Sequence, residues 1–305
     1  MTLSLSVITC SHNPRPDYLG QVIQALKNQT LDKARWEYLL IDNASGDTLD
    51  AQVDLSWHPH ARHVREEQLG LTHARLRGIM EATREILVFV DDDNVLDDDY
   101  LEQVMRVADS WLLVGAFGGQ VRPRFEAPPP EWTRQYWTRL VIREFDKDRW
   151  SNIPTAPETM PSGAGLCVRR EVAARYLGYH TNGQRKLVLD RTGTSLLSGG
   201  DTDLATTACD LGLGVGLFTS LKLTHLIPRE RLEEDYVARL LEGLAFSGVV
   251  LTSFRSNGSS LPDTGAKTKT ADLVRMLLMD RRHRLFFRAV RRGERKAAQF
   301  LANGQ

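Results

Sequence analysis

The sequence contains few cysteines and no long apolar run. Its three cysteines, Cys10, Cys167 and Cys209, are too few and too widely spaced for a disulfide framework or a zinc site. No stretch approaches the roughly 18 consecutive apolar residues of a membrane-spanning helix. The first residues also lack the basic segment that precedes the apolar part of a signal peptide. We therefore expect a reduced, cytoplasmic protein that does not cross a membrane.

The sequence also lacks a net charge, but this balance conceals two regions of opposite sign. The chain has 39 Lys and Arg against 39 Asp and Glu, and residues 267–305 hold 11 of the cations but only 3 of the acids. The remaining body is therefore acidic, which argues against nucleic acid as a partner, because such binding needs a cationic face. The apolar fraction of 42% and the charged fraction of 26% are those of a globular protein.

Strand and helix patterns alternate over the first third of the chain. Residues 3–9 alternate branched and small side chains, residues 19–26 place apolar side chains at helical spacing, and residues 86–90 are continuously apolar. This alternation predicts a parallel, doubly wound α/β sheet, in which ligands bind beyond the carboxyl ends of the strands. Polar clusters follow three of the predicted strands, at residues 9–13, 42–47 and 91–94.

Three consecutive aspartates, Asp91, Asp92 and Asp93, directly follow the apolar run at residues 86–90. Carboxylates packed together at the end of a buried strand repel one another unless a cation lies between them. Oxygen ligands favour Mn²⁺ or Mg²⁺, and Mg²⁺ is usually shared with the phosphates of a substrate. The pattern therefore indicates a divalent-metal site, and the alternative is a solvated acidic turn that caps the next helix.

Two further candidates for chemistry lie in the second half of the chain. Asp201 follows two glycines at the predicted start of a helix, where a carboxylate serves either as a cap or as a general base. His225 lies at the end of an apolar strand pattern, where a histidine is either a core residue or a ligand. The residues alone leave both alternatives open.

Six segments in chain order resemble the motifs of family 2 glycosyltransferases. That family has the A-type nucleotide-sugar-binding fold, so the resemblance implies an α/β protein with a mostly parallel central sheet. The resemblance covers about residues 3–250, and it is specific because all six motifs occur in the family's order. The segments are SVITCSHN at 6–13, LIDNASGD at 40–47, LGLTHARLRG at 69–78, FVDDD at 89–93, GDTDL at 200–204 and LTHLIP at 223–228.

The resemblance implies a metal-dependent, inverting transfer of a sugar from a UDP-, GDP- or dTDP-sugar to an acceptor hydroxyl. Asp201 would be the catalytic base, while Asp93 and His225 would bind Mn²⁺ or Mg²⁺. Asp42 would contact the base of the nucleotide and Asp91 the ribose. The residues expected to bind the nucleotide sugar are Thr9, Asn13, Asp42, Arg75, Asp91, Asp92 and Arg229, with Arg231 as the alternative to Arg229 at the pyrophosphate.

Two positions depart from the family pattern. Asn43 stands where a second aspartate is usual, and Gly200 stands where a glutamate is usual. The first departure affects the contacts to the base of the nucleotide. The second changes the arrangement of carboxylates next to Asp201, which is itself retained.

Residues 122–161 are rich in proline and aromatic residues and match no motif. Trp132, Trp137 and Trp150 either stack on the sugar rings of an acceptor or pack beneath a long loop. We assign nucleotide-sugar binding to residues 1–121, and acceptor binding and catalysis to residues 122–255. By analogy with the family, the expected acceptor is a glycan or a lipid-linked sugar of a bacterial surface polysaccharide.

The C-terminal region has a charge pattern unlike that of the body. Residues 256–270 are rich in Ser, Gly, Thr and Lys, which predicts a linker. Residues 271–305 interleave arginines with leucines and phenylalanines, as a basic amphipathic helix does. Such a tail either binds an anionic membrane, at the inner face of the cell membrane, or packs on the acidic body or on a second subunit.

Two other functions are compatible with an α/β sheet that carries an acidic cluster. A nucleotidyltransferase normally has a glycine-rich, basic loop after the first strand, whereas this chain has Cys10, Ser11, His12 and Asn13 there. A non-catalytic module that binds a nucleotide or a sugar would not need Asp201. Replacement of Asp201 by asparagine therefore separates this module from an enzyme.

Overall fold

The computed structural model describes residues 3–154, 156–185, 189–191, 196–255 and 266–303. Strands and helices alternate through the first half, as the sequence predicts. The strands are β1 (Leu5–Ser11), β2 (Trp36–Asn43), β3 (Ala61–Glu66), β4 (Ile86–Phe89), β5 (Asn94–Leu96), β6 (Val114–Phe125), β7 (Arg149–Ser151), β8 (Leu166–Arg169) and β9 (Gly214–Ile227). The α-helices are α1 (Pro16–Lys27), α2 (Leu49–Gln52), α3 (Leu71–Glu81), α4 (Tyr100–Ser110), α5 (Arg170–Thr181), α6 (Gly200–Asp210), α7 (Glu234–Arg255), α8 (Ala266–Leu277) and α9 (Arg281–Ala302).

Within the described ranges, the strands form one mixed sheet in the order β3-β2-β1-β4-β8-β6-β9-β5, and β7 also pairs with β9. The first four strands of this order are parallel. Their carboxyl ends therefore meet at one edge of the sheet. The antiparallel β8 joins them to β6 and β9, which are parallel to each other. The predicted α/β class with a mostly parallel sheet is confirmed, although the predicted boundary at residues 121/122 falls inside β6.

The sheet divides the apolar core into two layers. On β1, Leu5 and Val7 pack in the layer beneath α1 and α4, whereas Ile8 packs in the layer beneath α3, α5 and α6. Successive side chains of a strand point to opposite faces, so a strand between two helical layers must be apolar at every position. The continuous apolar sequence of β4 follows from this. Each such side chain contributes roughly 1.5–3 kcal/mol when it is fully buried.

Strand β9 carries the second half of the chain back to the end of β4. Its 14 residues pair with β6 from one end to the other, and residues 223–225 also pair with β5 in antiparallel fashion. The second pairing places His225 opposite Asn94, and the amide of Leu226 donates to the Asp93 carbonyl oxygen at 2.8 Å. His225 therefore lies beside the aspartates although more than 130 residues separate them in the chain.

The backbones of β6 and β9 approach each other closely at Gly119, in the middle of β6. A Cβ atom at this position would lie 2.0 Å from the Leu221 carbonyl oxygen. The register of the two strands also shifts between Gly118 and Gln120. Glycine at position 119 thus permits the irregularity through which β9 reaches the site.

The basic C-terminal tail folds into helices, and α9 packs along α7. Phe286, Ala289, Gly293 and Ala297 form the buried side of α9. A Cβ at Gly293 would lie 2.2 Å from the carbonyl oxygen of Glu242, so glycine sets the close helix contact. For α9, the structure therefore favours packing on the acidic body.

The predicted linker at residues 256–270 is only partly within the described chain. Residues 256–265 lie outside it. Helix α8 begins at Ala266, so residues 266–270 are helical rather than linker. The periodic spacing of apolar residues starts only later in α8, which is why the sequence placed the start of the tail too late.

Helix α7 is the described helix that is long and apolar enough to cross a membrane by length and composition. In the structure it packs against α9 and lies close to the loop before α6, where a Cβ at Gly243 would approach the Leu196 carbonyl oxygen to 2.2 Å. Arg255 at its end is also paired with Asp203 of α6 at 2.8 Å. These contacts are those of a helix that belongs to the folded body.

We expect Gly119→Ala to destabilise the protein by about 3 kcal/mol, because the added methyl group would overlap the backbone of β9. Gly20→Ala is the matched control, since Gly20 lies on the exposed side of α1 with no atom within 4 Å of an added Cβ. Alanine there should stabilise the protein by about 1 kcal/mol through helix propensity. Urea unfolding measures both changes, and an unchanged midpoint for Gly119→Ala would contradict the tight β6–β9 contact.

Candidate active site

A cavity of about 280 Å³ lies at the carboxyl edge of the parallel strands. Its wall is built from the ends of β1, β2 and β4, the first turns of α3 and α6, and the segment after β9. In a doubly wound sheet this edge is where ligands bind. The charged residues of the wall are Arg75, Asp91, Asp92, Asp93, Asp190, Arg191, Asp201, Arg231 and, when protonated, His225.

The three aspartates after β4 all reach the cavity but have different partners. Asp91 lies 3.8 Å from the Arg75 guanidinium, and Asp92 accepts a hydrogen bond from the Ser11 hydroxyl. Burial raises the pKa of Asp91 above its usual range. Burial and the neighbouring charge of Asp93 raise the pKa of Asp92 to about 7. The end of β4 therefore carries more negative charge than the surrounding side chains neutralise.

Asp93 is the aspartate with a full set of partners. Arg231 donates to its Oδ2 at 2.8 Å, and the Nε2 atom of His225 lies 3.4 Å from the same oxygen. Burial alone would raise the pKa of Asp93, but His225 in its protonated form and the Arg231 guanidinium lower it below its usual range. The Asp93 carboxylate is consequently ionised across the physiological pH range.

The contact between Arg231 and His225 fixes the role of the imidazole. Arg231 Nη1 lies 2.8 Å from His225 Nε2, and a guanidinium can only donate hydrogen bonds. His225 Nε2 is therefore an acceptor, and the neutral ring carries its proton on Nδ1. That Nδ1 atom is buried and has no hydrogen-bond partner in the described part of the chain. The Nε2 lone pair of the neutral ring therefore lies beside Asp93 and accepts from Arg231 in this structure.

Arg75 is buried at 3% exposure and is held by Asp190. Asp190 Oδ2 accepts from Arg75 Nη1 at 3.0 Å and from the Thr72 hydroxyl at 2.9 Å. Asp190 Oδ1 accepts from the amide of Gly200 at 3.3 Å. A buried guanidinium needs a hydrogen-bonded countercharge, and Asp190 supplies it.

Gly200 leaves the space that the Asp190 carboxylate fills. A Cβ at position 200 would lie 2.2 Å from Asp190 Oδ2. The glutamate that is usual at this position of the family pattern is therefore incompatible with the observed place of Asp190. In this chain the carboxylate beside Arg75 comes from the loop before α6 instead.

Asp201 lies in the first turn of α6 with its carboxylate at the cavity. Its Oδ2 accepts from the amide of Gly163 at 2.7 Å, and its Oδ1 accepts from the amide of Thr202 at 2.8 Å. A Cβ at Gly163 would lie 2.8 Å from Arg75 Nη2 and 3.2 Å from Asp201 Oδ2. Asp201 and Arg75 are thus neighbours, and each Asp201 oxygen keeps a further lone pair for a proton. Gly199, and not Asp201, is the N-cap residue of α6.

Asp42 and Asn13 do not line the cavity. Asp42 Oδ2 accepts from Arg65 at 2.7 Å and from the amide of Leu49 at 3.1 Å, and Oδ1 accepts from the amide of Ser45. Asn13 has a φ of 46° and its Oδ1 accepts from the amide of residue 46 at 2.9 Å. Both side chains therefore hold the turn after β2, which their places in the motifs did not reveal.

Thr9 and Arg229 also lie away from the cavity. Thr9 is fully buried in β1, one residue before the first cavity residue, Cys10. Arg229 is exposed, and its amide donates to Glu126 at 3.0 Å. The short helix Arg229–Leu232 turns residues two apart to different sides, so Arg231 rather than Arg229 reaches the aspartates.

The cavity wall includes residues that the sequence analysis did not select. Ser11, His12 and Asn43 lie inside the motif segments 6–13 and 40–47, next to residues that were predicted to bind the nucleotide sugar. Asp190 and Arg191 lie in a segment with neither a motif nor a periodic pattern. Only the missing glutamate at position 200 hinted that a carboxylate from elsewhere was needed.

The aromatic residues of 122–161 pack away from the cavity. Trp132 lies 5.8 Å from Phe286 of α9, and Trp137 lies 5.2 Å from Phe125 between ring centroids. Trp150 is half exposed and lies 6.4 Å from Trp111. The structure thus favours the packing interpretation for Trp132 and Trp137, whereas Trp150 presents half of its surface to solvent.

Residues 6–176, more than half of the chain, match the family described as Glycosyl transferase family 2. This chain belongs to glycosyl transferase family 2. The match includes the β1 end, the Asp42 turn, Arg75 and the three aspartates. The later part of the cavity wall, with Asp201 and His225, lies beyond the matched residues.

Two curated relatives of this family 2 glycosyltransferase align with parts of it. EpsH of Bacillus subtilis (strain 168), provisionally named a glycosyltransferase, is 28% identical over 109 residues, which is 35% of this chain and 31% of EpsH. The glucosyl-dolichyl phosphate glucuronosyltransferase of Haloferax volcanii is 21% identical over 196 residues, or 60% of this chain and 58% of the relative. The chain thus spans about a third and somewhat over half of their lengths.

Solved structures extend the likeness over the whole described fold. S. aureus TarS 1–349 in complex with UDP-GlcNAc matches with a TM-score of 0.54 at 14% identity, over 99% of this chain and 93% of that one. The complex of TarS 1–349 with UDP matches with a TM-score of 0.52 at 13% identity, over 99% and 92% of the two chains. The predicted A-type fold of the family 2 glycosyltransferase is confirmed.

We expect Asp190→Ala to lower the free energy of unfolding by about 3 kcal/mol, because it leaves the Arg75 guanidinium buried without its main countercharge. Gly200→Glu alone should also destabilise, since the new Cβ overlaps the Asp190 carboxylate. The double variant Asp190→Ala/Gly200→Glu should recover part of the loss, because it removes the overlap and returns a carboxylate near Arg75. Urea unfolding of the four proteins gives the coupling, and strict additivity would contradict the exchange of one carboxylate for another.

Proposed function

We propose that this family 2 glycosyltransferase moves a sugar from a nucleotide-diphosphate sugar to an acceptor hydroxyl, with inversion and with Mn²⁺ or Mg²⁺ as cofactor. The observation that carries the proposal is the single cavity in which Arg75 lies between Asp91 and Asp201. One side of this cavity holds the acidic cluster that suits a diphosphate with its cation. The other side holds a carboxylate with lone pairs available for a proton.

The donor is a UDP-sugar in this proposal. Among UDP-, GDP- and dTDP-sugars, the UDP class is favoured because the similar TarS structures are complexes with UDP and UDP-GlcNAc. The cationic side chains of the wall, Arg75, Arg191 and Arg231, provide countercharge for the diphosphate. A leaving diphosphate gains negative charge as the sugar departs, and fixed cations in a partly enclosed site stabilise that charge.

The donor atoms of the cavity fit a divalent cation that takes part of its ligands from the substrate. The raised pKa of Asp92 reflects a shortage of positive charge at the end of β4. Within the described ranges, no three His, Cys, Asp or Glu side chains form a ready-made metal site. Mg²⁺ commonly takes one or two carboxylates and completes its ligands with phosphate oxygens and water, so two protein ligands suffice.

Asp93 and His225 are the proposed protein ligands of this cation. Asp93 is ionised and His225 directs the Nε2 lone pair to the same place, which is the donor chemistry that Mn²⁺ accepts. In the structure the Arg231 guanidinium contacts Asp93 Oδ2 and His225 Nε2. A divalent ion bound to these two atoms would therefore replace the guanidinium there. When bound, the ion offsets the charge that develops on the leaving diphosphate.

Asp201 is the proposed catalytic base. It accepts the proton of the acceptor hydroxyl at a free lone pair of its carboxylate while the hydroxyl oxygen forms a bond to the anomeric carbon. The bond from that carbon to the diphosphate oxygen breaks on the opposite side, which inverts the configuration. The amide of Gly163 donates to the Asp201 carboxylate at 2.7 Å and holds it in position throughout.

The acceptor in this proposal is a glycan or a lipid-linked sugar in surface polysaccharide synthesis. The relative from Haloferax volcanii carries in its name a transfer to a sugar on dolichyl phosphate, which is a lipid-linked acceptor. An enzyme with such an acceptor works in the cytoplasm at the inner face of the cell membrane. No second function is favoured, since the residues after β1 form no glycine-rich, basic loop of the kind a nucleotidyltransferase uses.

We expect Asp201→Asn to lower kcat by about 10²- to 10⁴-fold, because the amide cannot take the proton of the acceptor. The affinity for UDP should be retained, since asparagine keeps the size of the side chain. Asp109→Asn, an exposed position on α4, is the matched control and should leave turnover unchanged. Turnover with a UDP-sugar and calorimetric binding of UDP separate the two effects. Unaltered turnover in Asp201→Asn would favour the non-catalytic binding module instead.

We expect UDP to raise the melting temperature only when Mn²⁺ or Mg²⁺ is present. At about 100 times its Kd, a ligand adds roughly 2.7 kcal/mol to the apparent stability. EDTA should remove the effect, and Asp93→Ala should weaken it, whereas Asp109→Ala should not. GDP, dTDP and CDP are the comparison nucleotides. An equal shift with UDP in EDTA would contradict the metal, and a larger shift with another nucleotide would reassign the donor.

A further inference from the structure

Helix α8 faces outward with its apolar side. Leu273, Val274 and Leu277 are 61%, 57% and 80% exposed, and Leu278, which follows the helix, is 89% exposed. These four residues form what we call the α8 apolar stripe, since their spacing puts them on one side of the helix. Amphipathic helices of globular proteins normally turn such a side toward the core.

Asp272 and Met276 are the residues of α8 that line a hollow together with α9. Asp272 is only 8% exposed, and its Oδ1 accepts a hydrogen bond from Arg291 of α9 at 2.8 Å. This buried ion pair fixes the rotation of α8 and directs the apolar stripe to solvent. Single exposed leucines are common on protein surfaces, but a contiguous set marks an interaction surface.

The arginines of α9 differ in their partners. Arg282 is paired with Glu234 at 2.8 Å and Arg292 with Glu242 at 2.9 Å, so these cations join α9 to α7. Arg281, Arg284 and Arg288 are exposed, lie on one side of α9 and form no ion pair within the described ranges. We call these three arginines the α9 basic face.

The α9 basic face lies next to the α8 apolar stripe. Arg284 Nε donates to the carbonyl oxygen of Met279, the residue that follows Leu278, at 2.8 Å. Arg288 shares a hollow with Met276 of α8. The nearby acids are Glu234, which Arg282 already neutralises, and Asp235. Three arginines without an ion pair in the described residues thus lie on the helix that follows the stripe in the chain, and two of them approach Met276 and Met279 at the same end of α8.

We propose that the α8 apolar stripe and the α9 basic face together dock this protein onto an anionic lipid surface. Leucine and valine side chains enter the boundary between headgroups and acyl chains, while the arginines contact lipid phosphates. A second copy of the chain fits less well, because a two-fold contact through the same patch would bring arginines against arginines. This docking surface lies outside the cavity, so it holds whether or not the proposed transfer reaction does.

The test is flotation of the full chain with lipid vesicles at moderate salt. We expect the protein to float with phosphatidylcholine vesicles that contain about a third phosphatidylglycerol and to stay behind with pure phosphatidylcholine. Leu277→Glu/Leu278→Glu should abolish flotation. Replacement of the three arginines of the α9 basic face by glutamine should weaken binding by about 100-fold.

The matched control is Leu112→Glu/Leu113→Glu. Leu112 and Leu113 are 67% and 70% exposed but lie before β6, away from the tail helices, so their replacement should leave flotation intact. Far-UV circular dichroism and the melting temperature of each variant confirm that it is folded, and UDP binding reports separately on the cavity.

Three flotation results would overturn the proposal. The first is no flotation of the wild type with anionic vesicles, and the second is equal binding to neutral vesicles. The third is flotation that persists when both leucines of the stripe are glutamate. Light scattering adds one more arm, since a dimer that Leu277→Glu/Leu278→Glu dissociates would assign the stripe to a second copy of the chain.

Discussion

The accumulation of negative charge at the end of β4 is the constraint around which the site is arranged. Asp91, Asp92 and Asp93 follow a strand that is buried on both faces, so they cannot all turn to bulk water. Two arginines from different elements, one buried and one partly buried, neutralise part of this charge. Arg75 comes from α3 next to Asp91, and Arg231 comes from the segment after β9 onto Asp93. Asp92 accepts a hydrogen bond from the Ser11 hydroxyl, but burial and the charge of Asp93 raise its pKa.

The path of β9 follows from the same constraint. His225 and Arg231 reach Asp93 only because β9 crosses the irregular pairing at Gly119 and then runs antiparallel to β5. Arg75 in turn needs a countercharge of its own, and Asp190 provides it in the space that Gly200 leaves. The departure at position 200 thus coincides with a carboxylate from the preceding loop that occupies the space beside Gly200.

The sequence predicted the elements of the site better than the direction of individual side chains. The runs around β1, β2 and β4 and the aspartates after β4 carry strong local patterns, so their places at one sheet edge could be foreseen. Thr9, Asn13 and Asp42 belong to the same motifs, but which side of a turn they face depends on hydrogen bonds formed only in the fold. Asp190 lies in a segment without any pattern, and its role depends on a contact with Arg75 that is 115 residues distant.

Different residues of the basic tail pack on the acidic body and face solvent. Packing on the acidic body and attraction to an anionic surface appear as alternatives while the tail is treated as one helix. In the structure the ion pairs to Glu234 and Glu242 use Arg282, Arg292 and Lys296, which hold α9 to the body. The α9 basic face and the α8 apolar stripe take no part in that packing. The charge surplus of the tail therefore exceeds what the acidic body neutralises, and the excess is gathered on the one side where apolar side chains are also exposed.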